Sequence, residues 1–132
     1  MYKRQERYCY IRNFLTDRPL LQPQYRDNRE YVVFLREGHA NGTLPSLTDE
    51  IFFGPRPEEE LYELKRDPHE IKNLATDPAF AGIMEHHRQI LSQWQERTND
   101  QGQYPESDAG LREVLNQWKE KCVNPEYRRI RR

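Results

Sequence analysis

The sequence predicts an α+β fold, a small antiparallel sheet with helices packed against it. Two stretches, Arg7–Phe14 and Glu60–Leu64, are rich in aromatic and other strand-forming residues and hold neither Gly nor Pro. Residues 79–97 carry apolar side chains at helical spacing over five turns. No internal repeat or low-complexity tract competes with this reading.

Each element has a local reason. In Arg7–Phe14, alternation puts Tyr8, Tyr10, Arg12 and Phe14 on one face and Cys9, Ile11 and Asn13 on the other. Met1 to Arg4 can pair with this strand across a tight turn at Gln5-Glu6, a hairpin whose first strand is cut short, so the chain reads as starting inside something larger. Asp17, Pro19 and Pro23 make Leu15–Asp27 an irregular connection. Asn28 is the expected N-cap of a helix through Glu37, with Tyr31, Phe34 and Leu35 as its apolar face and Gly38 and Asn41-Gly42 stopping it. Ser46 or Thr48 caps a second, short helix ending at Ile51-Phe52-Phe53, and Gly54-Pro55-Arg56-Pro57 closes it.

Glu60–Leu64 reads as a strand followed by a turn at Asp67-Pro68. Asp77-Pro78 supplies cap and first-turn proline to the helix 79–97, whose stripe is Phe80, Ile83, Met84, His87, Leu91 and Trp94. That helix is the natural cover for one sheet face. A polar linker, Thr98 to Pro105, leads to a last helix with Leu111, Val114, Leu115 and Trp118 on one side. Tyr127–Arg132 is a short basic tail, expected to be a solvated end or a contact to a missing remainder.

Composition narrows the function. Of 132 residues, 33% are charged, yet the net charge is −1, which argues against a general polyanion binder. Leu, Ile, Val and Phe number only 27, near the level at which chains stay disordered, but 8 Tyr, 5 Phe and 2 Trp oppose disorder. The chain reads as one thinly cored domain or a piece of a larger one. No apolar run approaches the roughly 20 residues of a membrane span, and MYKRQERYCY has no apolar stretch behind its basic residues, so no secretory signal is expected. Cys9 and Cys122 can be one disulfide or two thiols, and Cys and His are too scattered for a zinc site.

Motifs for chemistry are scarce. There is no P-loop, dinucleotide fingerprint, GxSxG or HExxH. His86 and His87 are adjacent, about 100° apart on a helix, and do not converge on one metal; His87 belongs to the apolar stripe as a core histidine. Glu58-Glu59-Glu60 reads as a solvated turn, and the Arg-rich tail is too short on a neutral chain to make a nucleic-acid site.

One segment stands apart. In Glu60–Ala75 a strand (Leu61, Tyr62, Leu64) enters the turn at Asp67-Pro68, Glu70 is placed to bind turn amides, Asn73 to hold a helix end or bend, and Leu74 to drop an apolar anchor before the long helix. Glu60, Asp67 and these residues thus read as a scaffold joint.

That segment resembles the E-L-Y-D-L-x-x-D-P-x-E-x-x-N-L-A signature of the C-terminal subdomain of the sulfatase family, with Glu63 the one departure. Arg7–Arg12 resembles the family's R-Y-K-Y-I strand, with Cys9 in place of Lys. The run Asn13-Phe14, Asp17-Arg18-Pro19, Gln22-Pro23, the helix closing on His39, and Phe52-Phe53 with Pro55-Arg56-Pro57 are similar to bacterial members related to heparan N-sulfatase and arylsulfatases. The resemblance covers about residues 1–98, a subdomain core, with 99–132 as linker, extra helix and basic tail.

The resemblance implies a subdomain with a sheet of about four strands and a helix, packed beside an alkaline-phosphatase-like α/β domain. It implies hydrolysis of sulfate esters or sulfamates on glycans by a formylglycine, made from Cys or Ser in C/S-x-P-x-R, with a calcium ion. Cys122-Val-Asn-Pro-Glu126 and Cys9-Tyr-Ile-Arg12 both fail that motif, and the calcium-site Asp pair is missing, so no catalytic residue, metal ligand or cofactor is assigned to this chain. The chain resembles the last quarter or so of a sulfatase and is expected to be inactive alone. By resemblance, the loop Leu20–Arg26 and the helix end Glu37–Gly42 border the substrate cleft, with Gln22, Tyr25 and His39 as contacts to a sulfated glycan. Expected partners are the missing catalytic domain, or a second copy through the exposed face, and neither nucleic acid nor a membrane. The alternative is a free-standing interaction module derived from the subdomain. A parent like typical bacterial sulfatases is periplasmic or secreted.

Overall fold

Strand-forming Tyr8–Arg12 becomes the central strand of an antiparallel sheet. The computed structural model describes residues 7–131 in full and 2–4 as backbone. The turn expected at Gln5-Glu6 lies outside the described residues, as does the last arginine of the tail. The strands β1 (Tyr2–Arg4), β2 (Tyr8–Arg12) and β3 (Glu59–Glu63) lie in the order β1-β2-β3. The described residues therefore hold three strands, against the four that the resemblance implies. Tyr10 stands opposite Leu61, Cys9 opposite Tyr62, and Arg12 opposite Glu59. The helices are α1 (Glu30–Ala40), α2 (Ser46–Phe53), α3 (Ala81–Thr98) and α4 (Asp108–Trp118), so the class is α+β.

The chain forms two compact units: Met1–Thr16 with Pro57–Tyr104, and Asp17–Arg56 with Pro105–Arg132. The first holds the sheet and α3. Its core is Tyr10, Leu61, Met84 and Leu91, flanked by Tyr8, Leu74, Phe80 and Ile83. The apolar stripe of α3 thus covers the Tyr10–Leu61 face. His87 is 1% exposed and stacks on Tyr10 at 6.0 Å, a core position as its place on the stripe indicates. A 3₁₀ turn, Pro78–Phe80, leads into α3, and the Asp77 carboxylate caps it by accepting the Ala79 amide at 2.9 Å.

The second unit holds α1, α2, α4 and a 3₁₀ turn at Pro125–Arg129. Its buried side chains include Leu21, Val32, Leu111, Cys122 and Ile130. Arg18 joins its ends: the guanidinium donates two 2.8 Å hydrogen bonds to Glu126 and pairs with Asp17 at 2.7 Å.

Several local expectations change. Helix α1 starts after Arg29 rather than Asn28 and has no side-chain cap, because the chain before it is held in a turn where Asp27 accepts the Gln24 amide and pairs with Arg36. Its buried residues are Val32 and Gly38, whereas Tyr31 and Phe34 are 55% and 65% exposed, so the helix is rotated away from its expected face. Gly38 does not end α1. A Cβ there would fall 2.6 Å from Leu44 Cδ2, so the glycine permits close packing, and the helix stops at Asn41. Pro45, not Ser46 or Thr48, occupies the N-cap of α2. The basic tail is no solvated end: Ile130 is 5% exposed, Arg129 pairs with Asp108 at 2.8 Å, and Arg131 donates to the Lys119 and Cys122 carbonyls. Cys9 and Cys122 are both buried thiols, not a disulfide.

Candidate functional site

The strand–turn–helix joint Glu60–Ala75 is built around the outer edge of β3. A strand edge leaves every second residue's backbone groups unpaired and open to further pairing. Here they are closed by one side chain and the segment after it. Asn73 Oδ1 accepts the Leu61 amide at 3.0 Å and the Ala75 amide at 2.9 Å, while its Nδ2 donates to the Glu59 carbonyl at 3.1 Å. The Leu74 amide donates to the Leu61 carbonyl at 2.8 Å, and the Arg66 and Asp67 amides donate to the Glu63 carbonyl. Asn73 and Leu74 act as a short pseudo-strand, and Leu74 packs against the core below.

The turn itself is held by Asp67, whose carboxylate accepts the Lys72 and Ile71 amides at 2.7 and 2.8 Å. Those amides hold its pKa below the ordinary carboxylate value. Glu70, in the same turn, takes the left-handed conformation at φ 55°. Pro68 sits exposed at the turn, and the Leu64 amide donates to the Arg7 carbonyl at 2.9 Å. Glu60 accepts from the Asn13 side chain at 2.6 Å and from the Tyr62 hydroxyl. Burial, then Glu60, raises the Tyr62 pKa. Glu63, the departure from the family motif, is 5% exposed and accepts two hydrogen bonds from Arg7, at 3.0 and 2.8 Å.

The acidic run Glu58–Glu60 is not a solvated turn. Glu59 lies at the start of β3, where Arg88 donates to both its oxygens at 2.8 and 2.6 Å, Tyr10 donates its hydroxyl, and Arg12 pairs at 3.2 Å. The Arg88 hydrogen bonds lead in holding the Glu59 carboxyl down at about 2. Burial, then Glu59, pushes Tyr10 up to about 12. The strand pairing of Arg12 with Glu59 was the available signal, but Arg88 arrives from a helix 29 residues on and carries no local trace in the sequence.

The expected cleft residues occupy three separate settings in the second unit. Gln22 turns its side-chain amide back onto the Pro19 carbonyl, and its own carbonyl accepts from Arg36 at 3.2 Å. Tyr25 is 64% exposed with the Arg26 guanidinium 5.0 Å from its ring centre. His39, in the last turn of α1, stacks on Phe53 at 3.9 Å with the rings 8° from parallel, and its Nδ1 lies 2.7 Å from Asp49 Oδ1. Among the described residues no group of three or more His, Cys, Asp or Glu is placed to hold a metal ion, and no helix is long and apolar enough to cross a membrane.

An α+β chain whose signature segment closes the edge of its own sheet is a structural class, and comparison with known proteins places it more narrowly. No family model matches the chain. It is 33% identical over 106 residues to an ulvan-active sulfatase of Formosa agariphila, a match covering 80% of this chain and 18% of that protein. It is 56% identical over 41 residues to human N-sulphoglucosamine sulphohydrolase, covering 31% of this chain and 8% of the enzyme. A Delta 4,5-hexuronate-2-O-sulfatase of Bacteroides thetaiotaomicron is 43% identical over 54 residues, 41% of this chain and 11% of that protein. Sulfatase homologues thus match partial regions of the chain, in keeping with a sulfatase C-terminal fragment, and the chain spans less than a fifth of the length of each of these relatives.

Proposed function

We propose that this chain is the C-terminal subdomain of a sulfatase, a non-catalytic part that packs beside an α/β catalytic domain and borders the substrate cleft. The intact enzyme hydrolyses sulfate esters or sulfamates on glycans, with formylglycine and calcium carried by the catalytic domain. One observation carries the reading: the polar residues of the joint, Glu60, Asp67 and Asn73, are bound to the chain's own backbone and side chains. They build a scaffold and present no reacting group. The exposed Tyr31 and Phe34 on α1 favour a subdomain that meets a neighbour over a free-standing interaction module. The fourth strand of the family sheet adds at β1, the edge opposite the one that Asn73 closes.

At the cleft, Gln22, Tyr25 and His39 contact the glycan. Phe53 and Asp49 fix the His39 ring and leave Nε2 as the nitrogen for a hydroxyl or sulfate oxygen. The family likeness of residues 1–98 marks the subdomain core, and the extra helix and tail within 99–132 complete the compact unit that Asp17–Arg56 begins.

Hydrolysis of 4-nitrophenyl sulfate and of sulfated disaccharides tests this. The chain alone gives no turnover, and mixing it with a sulfatase catalytic domain lacking its own C-terminal subdomain restores activity. Turnover by the chain alone overturns the reading. So does a monomeric chain that binds no hydrophobic dye and leaves the catalytic domain inactive.

A further inference from the structure

A groove of about 300 Å³ opens beside the C-terminal end of α4, lined by Tyr25, Val114, Trp118, Lys121, Asn124 and Tyr127 among others. Tyr25, Val114 and Trp118 are 64%, 38% and 39% exposed, so large apolar side chains meet water together at one place. Cations stand over two of the rings. The Arg26 guanidinium lies 5.0 Å from the centre of Tyr25 and the Lys121 ammonium 5.8 Å from that of Trp118. Lys121 is fixed there, donating to the Gln24 carbonyl at 3.0 Å and lying 3.7 Å from Asp27.

The neighbouring acids are neutralised by other arginines. Asp27 pairs with Arg36 at 3.0 Å, and Glu126 takes two 2.8 Å hydrogen bonds from Arg18. The rim is left with cationic character above aromatic walls, and Asn124 adds an amide that both donates and accepts. A pyranose ring bearing a negative group matches this pattern. Its C–H faces stack on indole or phenol, its hydroxyls reach amides, and its sulfate or carboxylate meets a fixed cation. The volume, at the lower end for ligand pockets, suits a single ring.

We propose that this groove binds one anionic sugar ring, extending the glycan contact of Tyr25 onto the C-terminal segment. The ligand class rests on the sulfatase reading, whereas the groove's geometry does not.

In the full chain carrying Trp94→Phe, Trp118 is the sole tryptophan and reports on the groove. Titration with heparin-derived disaccharides gives a saturable fluorescence change, and chemically desulfated disaccharide binds several-fold more weakly. By calorimetry, Trp118→Ala and Lys121→Ala each weaken affinity about tenfold. The Lys121 side chain is 43% exposed, so its variant decides the matter even where Trp118→Ala does not fold. No saturable change at millimolar sugar, or unchanged affinity in Lys121→Ala, overturns the proposal. Self-association lost in Trp118→Ala without any sugar response assigns the groove to a second copy and also overturns it. Restored turnover in the mixing assay without groove binding removes the groove alone, and groove binding with no restored turnover removes the subdomain reading instead.

Discussion

Asn73 binds the backbone of Leu61 from the side, its Oδ1 accepting the Leu61 amide at 3.0 Å as a neighbouring strand would. The same side chain reaches the Glu59 carbonyl and the Ala75 amide. One residue therefore fixes the sheet edge, the bend and the approach to α3. Asn73→Ala strands three backbone groups at a half-buried edge, and at about 1 kcal/mol each the loss is about 2–3 kcal/mol. Asn73→Asp keeps the two accepted bonds and sets a carboxylate against the Glu59 carbonyl, so it falls between wild type and Ala. Urea unfolding measures both; an Ala variant within about 0.5 kcal/mol of wild type contradicts the edge role.

Glu59 makes the first unit acid-sensitive. Its folded pKa of about 2 lies below the ordinary 4.5, so on acidification the unfolded chain takes up the proton first. The stabilisation is complete above about pH 4.5 and disappears as pH falls toward 2. Arg88 and Arg12 are 43% and 39% exposed, and solvent screening reduces the contribution to about 2 kcal/mol. Glu59→Gln is expected to lose that much at pH 7 and to approach wild type near pH 2.5. A gap between the two proteins that stays constant from pH 7 to 2.5 refutes the assignment.

How far the sequence discloses the molecule depends on how local the cause is. The three described strands, α3 with its Asp77 cap, and the Glu60–Ala75 joint were legible because alternation, a 3.6-residue period and Asx chemistry act within a few residues. The face of α1 was not, because Tyr31 and Phe34 satisfy the period as well as Val32 does, and only tertiary packing chooses between them. Local pattern marks Asn73 for a helix end or bend, but its main partner, Leu61, lies 12 residues back on the strand. The aromatic groove joins residues about 90 apart and left no spacing to detect. Among the proposed cleft residues, the Asp49 and Phe53 support of His39 comes from the next helix, beyond any local pattern.

Two glycines read from the sequence as stops work by different physics, which substitution separates. Gly42 has φ 64° and open space around it, so Gly42→Ala costs about 1 kcal/mol from the left-handed backbone alone. Gly54 has ordinary backbone angles, but a Cβ would fall 2.4 Å from the Glu50 carbonyl oxygen at the end of α2. Backbone cannot yield as a side chain can, so Gly54→Ala is the more damaging, by a further 1 kcal/mol or about that. Gly42→Asn, an amide tolerant of positive φ, restores most of the first loss. Thermal unfolding that ranks Gly42→Ala as the worse variant sinks this distinction.

The C-terminal segment belongs with residues far back in the chain, and that gives truncation a specific signature. Glu126 neutralises Arg18, whose side chain is 10% exposed, across 108 residues of sequence, and Lys121 reaches the Gln24 carbonyl. Deleting 119–132 removes those partners along with buried Cys122 and Ile130. It leaves Arg18 with Asp17 alone, and a largely buried guanidinium that loses its bidentate carboxylate costs about 2 kcal/mol or more. The core of the first unit, Tyr10 with Leu61, Met84 and Leu91, contains none of the deleted residues. Hydrogen exchange on the truncated chain is therefore expected to show lost protection at the amides of Leu21 and Val32, with Leu61 and Leu91 keeping theirs. Equal loss at all four means that the two compact units unfold as one, and unchanged protection at Leu21 means that the tail is only an appendage.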